Sequence, residues 1–382
     1  MKNTNRFTII GGGIAGLTTA IALRKIGIRA TLFEAAPAIK PLGAGLVLAA
    51  NAIKAYQKLG IAEAILPAGR VIDTFVIRDQ QGRAITRTDS QAVSQRYGTD
   101  NFTIHRAALH RILLDQLIGN PIILGKRAIS IDQSNDGVIM RFDDGTIHQT
   151  DYLLVADGIH SAIRQQILPD SKPRYAGYTC WRAVVDGTGL DLTEATETWG
   201  TQGRVGIVPL ANNQIYWFAT ANAPANDGRM RTFRVNDLTT RFADYHAPIP
   251  EVISRTTDGG LLWNDIIDLK PLPRYAFGNV LLLGDAAHAT TPNMGQGACQ
   301  AIEDGVVLAD ELDRGGTVFD AFKRFEQRRL KRTHSIVEKS RRIGQLAQVQ
   351  HPWLVAVRNG LFRMLPDSLN ERQLETLYKV DF

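Results

Sequence analysis

Residues 6–34 read RFTIIGGGIAGLTTAIALRKIGIRATLFE, and this stretch decides the fold. Arg6 to Ile10 is a short, β-rich apolar run, and GGGIAG follows it. Leu17 to Lys25, rich in Ala and Leu, predicts a helix, and Ala30 to Glu34 is a second apolar run that ends in an acid. Strand, glycine turn, helix, strand is a βαβ unit opening the chain. Gly11, Gly13 and Gly16 stand in GxGxxG register, and Glu34 lies 18 residues after Gly16. The first glycine permits the tight turn, the second lets a pyrophosphate approach the backbone, and the third lets helix and strand pack closely. The free N–H groups around Ile14 and Ala15 and the positive dipole end of the helix suit phosphates, and Glu34 suits ribose hydroxyls. A glycine-rich turn alone is a weak signal. Between a strand and a helix, with the acid at this distance, it predicts dinucleotide binding.

That motif serves NAD and FAD equally, so the choice comes from further along the chain. Residues 152–164, YLLVADGIHSAIR, predict a strand ending in Asp157-Gly158. Residues 280–305, VLLLGDAAHATTPNMGQGACQAIEDG, predict a buried strand ending in Gly284-Asp285, then Pro292 and a glycine turn opening a helix at Gly297. Helices are also expected at Ala50 to Leu59 and Arg106 to Leu117. Val138 to Phe142 and Ile147 to Val155, around Asp144-Gly145, carry a hairpin signal. From Tyr175 to Ala221 the texture changes to YTCWRAVVD, TETWG, RVGIVPL and IYWFATA, which predicts antiparallel sheet and a second architecture. Beyond Phe319 the chain reads as charged helix to about Gln345, followed by apolar segments with Trp353 and Leu361 to Leu365.

The 382 residues, 44% hydrophobic and 21% charged, exclude a disordered or collagen-like chain. No apolar run approaches the roughly 18 to 20 residues of a membrane span, and the N-terminal apolar patch is too short for a signal peptide, so a cytoplasmic protein is expected. Cys180 and Cys299 stand in no paired or metal-ligand spacing and are expected free and buried. The eight histidines form no ligand cluster, and no metal is expected. The net charge of +6 comes from one segment. Lys323 to Arg342 holds nine Lys or Arg against Glu326 and Glu338, leaving the remainder near neutral. This reads as a solvated helix face, with a docking surface for an anionic partner as the other reading, and nucleic-acid binding is not expected.

With three motifs in order, the chain resembles the single-component FAD-dependent aromatic hydroxylases, the para-hydroxybenzoate hydroxylase-like flavoprotein monooxygenases. The resemblance covers nearly the whole chain and implies an α/β fold: a Rossmann-like FAD-binding domain with an antiparallel β-sheet substrate domain and C-terminal helices. The domain boundaries that follow are 1–70, 95–170 and 272–318 for FAD, 71–94 and 171–271 for substrate, and 319–382 for the helices. The resemblance further implies that Gly11, Gly13, Ile14, Ala15, Gly16 and Glu34 bind the ADP portion, that Arg106 sits by the phosphates or ribityl chain, and that Asp285 holds ribityl hydroxyls. Gly45 in GAGLVLAAN, Pro292, Gly295, Gly297 and Ala298 border the isoalloxazine, and Asp157 supports the turn between cofactor and reductant. His288, in GDAAH, reads as a structural hydrogen-bonding residue, and Arg164 as a surface or ion-pair arginine. No second GxGxxG stands in a βαβ context, so NAD(P)H visits transiently. The reaction implied is reduction of FAD, formation of a flavin C4a-hydroperoxide from O2, and hydroxylation of a small aromatic or heteroaromatic compound by a monomer or weak dimer.

Within the family, IKPLGAG, RYAGYTCWRAVV and PNMGQGACQAIEDG look nearest the urate hydroxylase and zeaxanthin epoxidase branch. By that likeness Arg204 in GRVGIVP and Tyr216 in QIYWFA face the substrate. A guanidinium offers a planar fork to an anionic or carbonyl-rich ring, and a tyrosine can hydrogen-bond or stack; a sheet-edge surface arginine is the other reading of Arg204. Where the urate hydroxylase pattern has an acid after the proline of the GD segment, this chain has Asn293, which cannot act as a carboxylate base. Ala50 replaces that branch's usual proline. Epoxidation of an isoprenoid, inactivation of a polycyclic antibiotic, and a flavin-bound interaction or sensor protein docking through the basic helix are the alternatives.

Overall fold

The computed structural model describes residues 5–38, 44–89, 101–134, 137–364, 375 and 377–382. The opening strand, Phe7–Ile10, is buried at every position and pairs in parallel with Ala30–Phe33 on one side and Tyr152–Val155 on the other. A strand buried at every position is what a parallel sheet covered on both faces requires. Val280–Leu282 continues the sheet in parallel beside Tyr152–Val155, and Ile122–Ile123 does so beside Ala30–Phe33; the short antiparallel Ala276–Phe277 closes one edge. The glycine turn leads into the helix Ile14–Lys25, which packs on the later helix Gly297–Asp313. Gly305 allows that approach, since a Cβ there would fall 3.0 Å from the Thr19 backbone nitrogen.

The expected hairpin forms between Gly137–Phe142 and Ile147–Thr150, but the apolar run to Val155 does not continue as one strand. It breaks at Asp151, whose carboxylate accepts the Arg6 backbone N–H (2.7 Å) and its guanidinium (2.7 Å). Tyr152–Val155 thereby leaves the hairpin and joins the parallel sheet.

A second, seven-stranded sheet runs in the order Leu262–Asp268, Arg174–Asp186, Gln214–Asn222, Gly203–Pro209, Ala195–Gly200, Thr74–Asp79 and Ala84–Asp89. It is antiparallel except where Ala195–Gly200 meets Thr74–Asp79. Side chains alternate across it. Trp181, Ala183, Ile207, Ile215 and Trp217 enter a core shared with Leu238 and Val252 of the short helices Val235–Arg241 and Ile249–Ser254. By the pairing register Cys180, Arg182, Val184, Arg204, Tyr216 and Phe218 lie on the opposite face.

The basic segment forms most of the long helix Val318–Ala347, and there the structure pairs much of its charge within the protein, which the solvated-face reading did not anticipate. Lys323, Lys331, Lys339 and Arg342 stay on an exposed face, whereas its other arginines turn to acids. Arg324 reaches Glu311 (2.7 Å), Arg328 reaches Asp310 (2.5 Å) and Glu311 (2.7 Å), and Arg341 reaches Asp268 (2.9 Å). Arg329 is buried against Glu303 and Asp304, and Arg332 also binds Glu303. The counter-ions sit mainly on the preceding helix, so a local count of charge does not see them. Leu365, in the last apolar segment, and the boundary at 94/95 fall outside the described residues.

Candidate active site

The glycine turn, Glu34 and Asp157-Gly158 line one crevice of about 290 Å³. Gly11 has φ +102°, and a Cβ on it would lie 2.2 Å from the Ala156 carbonyl oxygen, so only glycine fits where the first and third strands converge. A Cβ on Gly16 would meet the Gly11 carbonyl oxygen at 1.9 Å, whereas above Gly13 there is open space. The turn is thus packed at its first and third glycines and free at the second, on the side a pyrophosphate approaches. The helix behind it starts at Ile14 with no side-chain cap and no acid in its first turn, leaving its N–H groups for an anion. Glu34 accepts the Gly12 N–H (2.6 Å) and the Ala36 N–H (2.7 Å), and a carboxylate so held keeps lone pairs for hydroxyls.

Asp157 lines this crevice, and its Oδ1 is buried without a hydrogen-bond partner. Burial pushes its carboxyl up to about 6, against the opposing influence of Ser161, Arg164 and Arg127. Arg164 is no surface residue. It is fully buried and donates to Ser171 Oγ (3.1 Å) and the carbonyls of Ile159 (2.6 Å) and Ala286 (3.4 Å), tying the DG turn to the GD segment.

The GD turn rests directly on the glycine-turn helix: Gly284 has φ +55°, and a Cβ there would fall 2.7 Å from the Ala15 Cβ. Asp285 follows at the start of the short helix Asp285–His288, its side chain open to solvent yet deep among protein atoms. Those surroundings raise its pKa, while His288 and Arg106 oppose the rise. Arg106, at the start of the helix Arg106–Asp115 that His105 caps, is pushed down by burial, held up by Asp285 and lowered again by Arg182. Arg106, Asp285 and Arg182 therefore share one electrostatic space. Pro292 and Gly295 precede the helix Gly297–Asp313, whose start at Gly297 and Ala298 also carries no side-chain cap and no acid in its first turn.

Sequence reasoning missed the residues that hold this turn. Asp304 accepts the Gly284 N–H (2.8 Å), His288 Nε2 (2.7 Å) and Arg329 Nε (2.7 Å). Glu303 accepts Asn51 Nδ2 (2.5 Å), Arg332 and Arg329. The signal was in QAIEDG, two adjacent acids inside a helix stretch otherwise apolar enough to be buried.

Across the cleft, Tyr216 packs on Gly45, where a Cβ would lie 2.5 Å from the tyrosine's own Cβ. Burial raises its pKa, so the hydroxyl keeps its proton, and the Arg182 guanidinium beside it opposes that rise. Arg182, unassigned in sequence, donates to Asn264 Oδ1 (2.8 Å) and keeps a buried, unpartnered Nε. Arg204 shares this face but pairs across from Thr220, four residues beyond Tyr216, so the two stand roughly 13 Å apart along the sheet. Arg204 is buried and is no sheet-edge surface arginine. Its Nη1 donates to Glu197 (2.9 Å), its guanidinium lies over the Tyr178 ring (5.3 Å), and its Nε has no partner. Asn293 does not face an open pocket either: it accepts the Tyr178 hydroxyl (3.2 Å) and donates to Thr291 Oγ1 and the Ser340 carbonyl (2.9 Å each).

The donor set fits FAD: an open backbone at Gly13, uncapped helix starts at Ile14 and Gly297, and the acids Glu34 and Asp285. Residues 5–340 match the family described as FAD binding domain. The chain is 40% identical over 367 residues to an aurachin C monooxygenase/isomerase of Stigmatella aurantiaca, covering 96% of this chain and 95% of that one. It is 32% identical to a 2-heptyl-3-hydroxy-4(1H)-quinolone synthase of Pseudomonas aeruginosa, with 97% of each chain covered. The crystal structure of Klebsiella pneumoniae HpxO complexed with FAD and uric acid superposes with a TM-score of 0.90 at 29% identity, covering 99% of this chain and 97% of that one.

Proposed function

Since this chain belongs to the FAD binding domain family, within the single-component FAD-dependent aromatic hydroxylases, and is an NAD(P)H-using FAD-dependent monooxygenase, we propose that its substrate is an uncharged, carbonyl-bearing bicyclic heteroaromatic of the alkylquinolone kind. The observation that carries this reading is the ion pair of Arg204 with Glu197 at 2.9 Å. A guanidinium whose charge is already matched by a neighbouring carboxylate is a poor receptor for an anion such as urate, yet its unpartnered Nε remains a donor for a neutral carbonyl oxygen. Likeness to a quinolone synthase over nearly the full chain supports the same class.

FAD, when bound, supplies electron transfer from NAD(P)H and the activation of O2 for insertion of one oxygen atom. The protein's own residues position and exclude. Glu34, the Gly13 turn, Arg106 and Asp285 hold the cofactor. Tyr216, with its proton retained, stacks on or donates to the ring, and Arg204 Nε fixes the carbonyl end. Cys180, Val184 and Phe218 line the face between them and keep water out. Asn293 takes no proton, being committed to Thr291, Ser340 and Tyr178. The protein works in the cytoplasm as a monomer or weak dimer.

The test is NAD(P)H consumption with hydrogen peroxide counted in parallel, for 2-alkyl-4-quinolones against urate and salicylate. An alkylquinolone is expected to accelerate consumption without matching peroxide. Coupled turnover of urate or salicylate with the quinolones inert would overturn the substrate class.

A further inference from the structure

From Lys339 to Arg363 the sequence has five Lys or Arg and no Asp or Glu. The helix Pro352–Arg363 within this stretch packs on the protein by one side only. Its inward side carries Val355, Phe362, which meets the Trp199 ring edge-on, and Arg358 and Asn359, exposed only 6% and 5%. Arg358 donates to the Ala347 carbonyl (2.9 Å), closing the end of the preceding helix, and to Asn359 Oδ1 (3.0 Å), with its guanidinium 4.9 Å from the Trp199 ring. Its outward side carries Trp353, Leu354, Val357 and Leu361, followed by Met364, with exposures from 40% for Val357 to 80% for Met364. Spacings of three and four residues set these side chains in one stripe along the helix. Leu346, half exposed at the end of the preceding helix, is a further apolar residue turned to solvent nearby in the chain.

The buried Arg358 fixes which side turns outward, so the stripe is presented by the fold rather than left over from it. Large apolar side chains in continuous exposure mark an interaction surface. The nature of the occupant follows from the surroundings. The stripe offers no hydrogen-bonding group except the Trp353 indole, so what it meets is apolar. The exposed charges nearest it in sequence are Arg363, at its own end and bound to Asp79 (2.7 Å), and then Lys339 and Arg342 on the preceding helix, with Arg342 only loosely paired to Glu338 at 3.8 Å. A second copy of the chain would bring like charges against these. An anionic bilayer meets both demands, with hydrocarbon under the stripe, headgroup charge opposite the cations, and the headgroup boundary where a tryptophan settles.

We propose that the outward face of the helix Pro352–Arg363 docks this protein on the surface of an anionic lipid bilayer, the helix lying in the plane of the headgroups. The helix is 12 residues long, and no described helix is long and apolar enough to cross a membrane, so the attachment is peripheral and reversible. This inference stands apart from the substrate reading, since none of its residues lines the site.

The test uses the full-length, FAD-loaded protein in flotation with vesicles of phosphatidylcholine alone and of phosphatidylcholine mixed with phosphatidylglycerol. Partition is expected to be about tenfold stronger on the anionic vesicles, with a blue shift of tryptophan emission that Trp353→Phe removes. The double variant Trp353→Glu with Leu361→Glu is expected to lose that partition by about tenfold or more while keeping its flavin content, circular dichroism and NAD(P)H oxidation. Failure of the wild type to float with either vesicle would overturn the proposal, as would undiminished binding by the double variant. So would a dimer in sedimentation velocity that the double variant abolishes, because the face would then belong to a second copy.

Discussion

Arg329 and Arg204 are both about 2% exposed and both meet acids, yet their guanidiniums end differently. Every nitrogen of Arg329 donates, Nε to Asp304, Nη1 to Glu303, and Nη2 to the backbone and side-chain oxygens of Gln300. Arg204 has Nη1 on Glu197 and an Nε with nothing. Arg329 lies where its own helix packs on Gly297–Asp313, enclosed by protein on every side. Arg204 lies on the sheet face across the cleft. A buried donor left unmade costs roughly 1–3 kcal/mol, which a fold tolerates where a ligand completes it. The Arg329 guanidinium is thus closed within the protein, while Arg204 Nε across the cleft and Asp157 Oδ1 in the glycine-turn crevice are left incomplete.

Breaking the closed side has the largest expected effect. Arg329→Leu strands Glu303 and Asp304 in the interior and should cost about 3–5 kcal/mol, read as a lowered urea midpoint of the apoprotein. A midpoint equal to wild type would mean that the cluster is not a structural unit. Asp157→Asn comes next and has the opposite sign. Its carboxyl titrates near 6 in the fold against an ordinary 3.8, so the unfolded chain ionises first as pH rises. Stability therefore falls between about pH 4 and pH 6 and stays lower above that, by about 3 kcal/mol. The asparagine variant of the apoprotein should be more stable at pH 8 by up to this amount and no more stable at pH 4; a pH-independent difference would show that burial of the charge is not the cause. The smallest effect sharpens the open side. Arg204→Gln should keep its flavin, lose less stability than the Arg329 variant, and drop kcat/KM for an alkylquinolone by about tenfold, the worth of one hydrogen bond. Glu197→Gln leaves the guanidinium net positive and should move preference toward a ring carboxylate, measured as the ratio of kcat/KM values; an unchanged ratio would show that the pair does not set substrate charge.

The cofactor half was legible because its requirements fall on the backbone. Gly11 and Gly16 are demanded by contacts under 2.5 Å that any Cβ would make, and such demands leave fixed spacings in sequence. The substrate half was legible as alternation, and Arg204 and Tyr216 do lie on one face, but alternation says nothing of position along the strand. Their separation and the role of Arg182 needed the register. The ion pairs of the basic helix escaped the reading because their acids Glu303, Asp304, Asp310 and Glu311 belong to another element. Run-based counting treats charge as local, whereas pairing between packed helices is not. The break at Asp151 escaped notice for the same reason, since its cause is Arg6 at the far end of the chain.

The unbroken alternation of residues 178–186 against Gln214–Asn222 also shapes how such an enzyme can change over generations. Trp181 and Trp217, both wholly enclosed, are sequence neighbours of Arg182 and Tyr216 or Phe218. A single inserted or deleted residue within these strands would swap indoles for guanidinium and phenol, exchanging core for cavity wall at a stroke. Inheritance of new specificity is therefore confined to point replacement at every second position, Cys180, Val184 and Phe218 foremost, with length variation relegated to the turns. A combinatorial library restricted to those three sites would explore much of the accessible chemistry while leaving the indole layer intact.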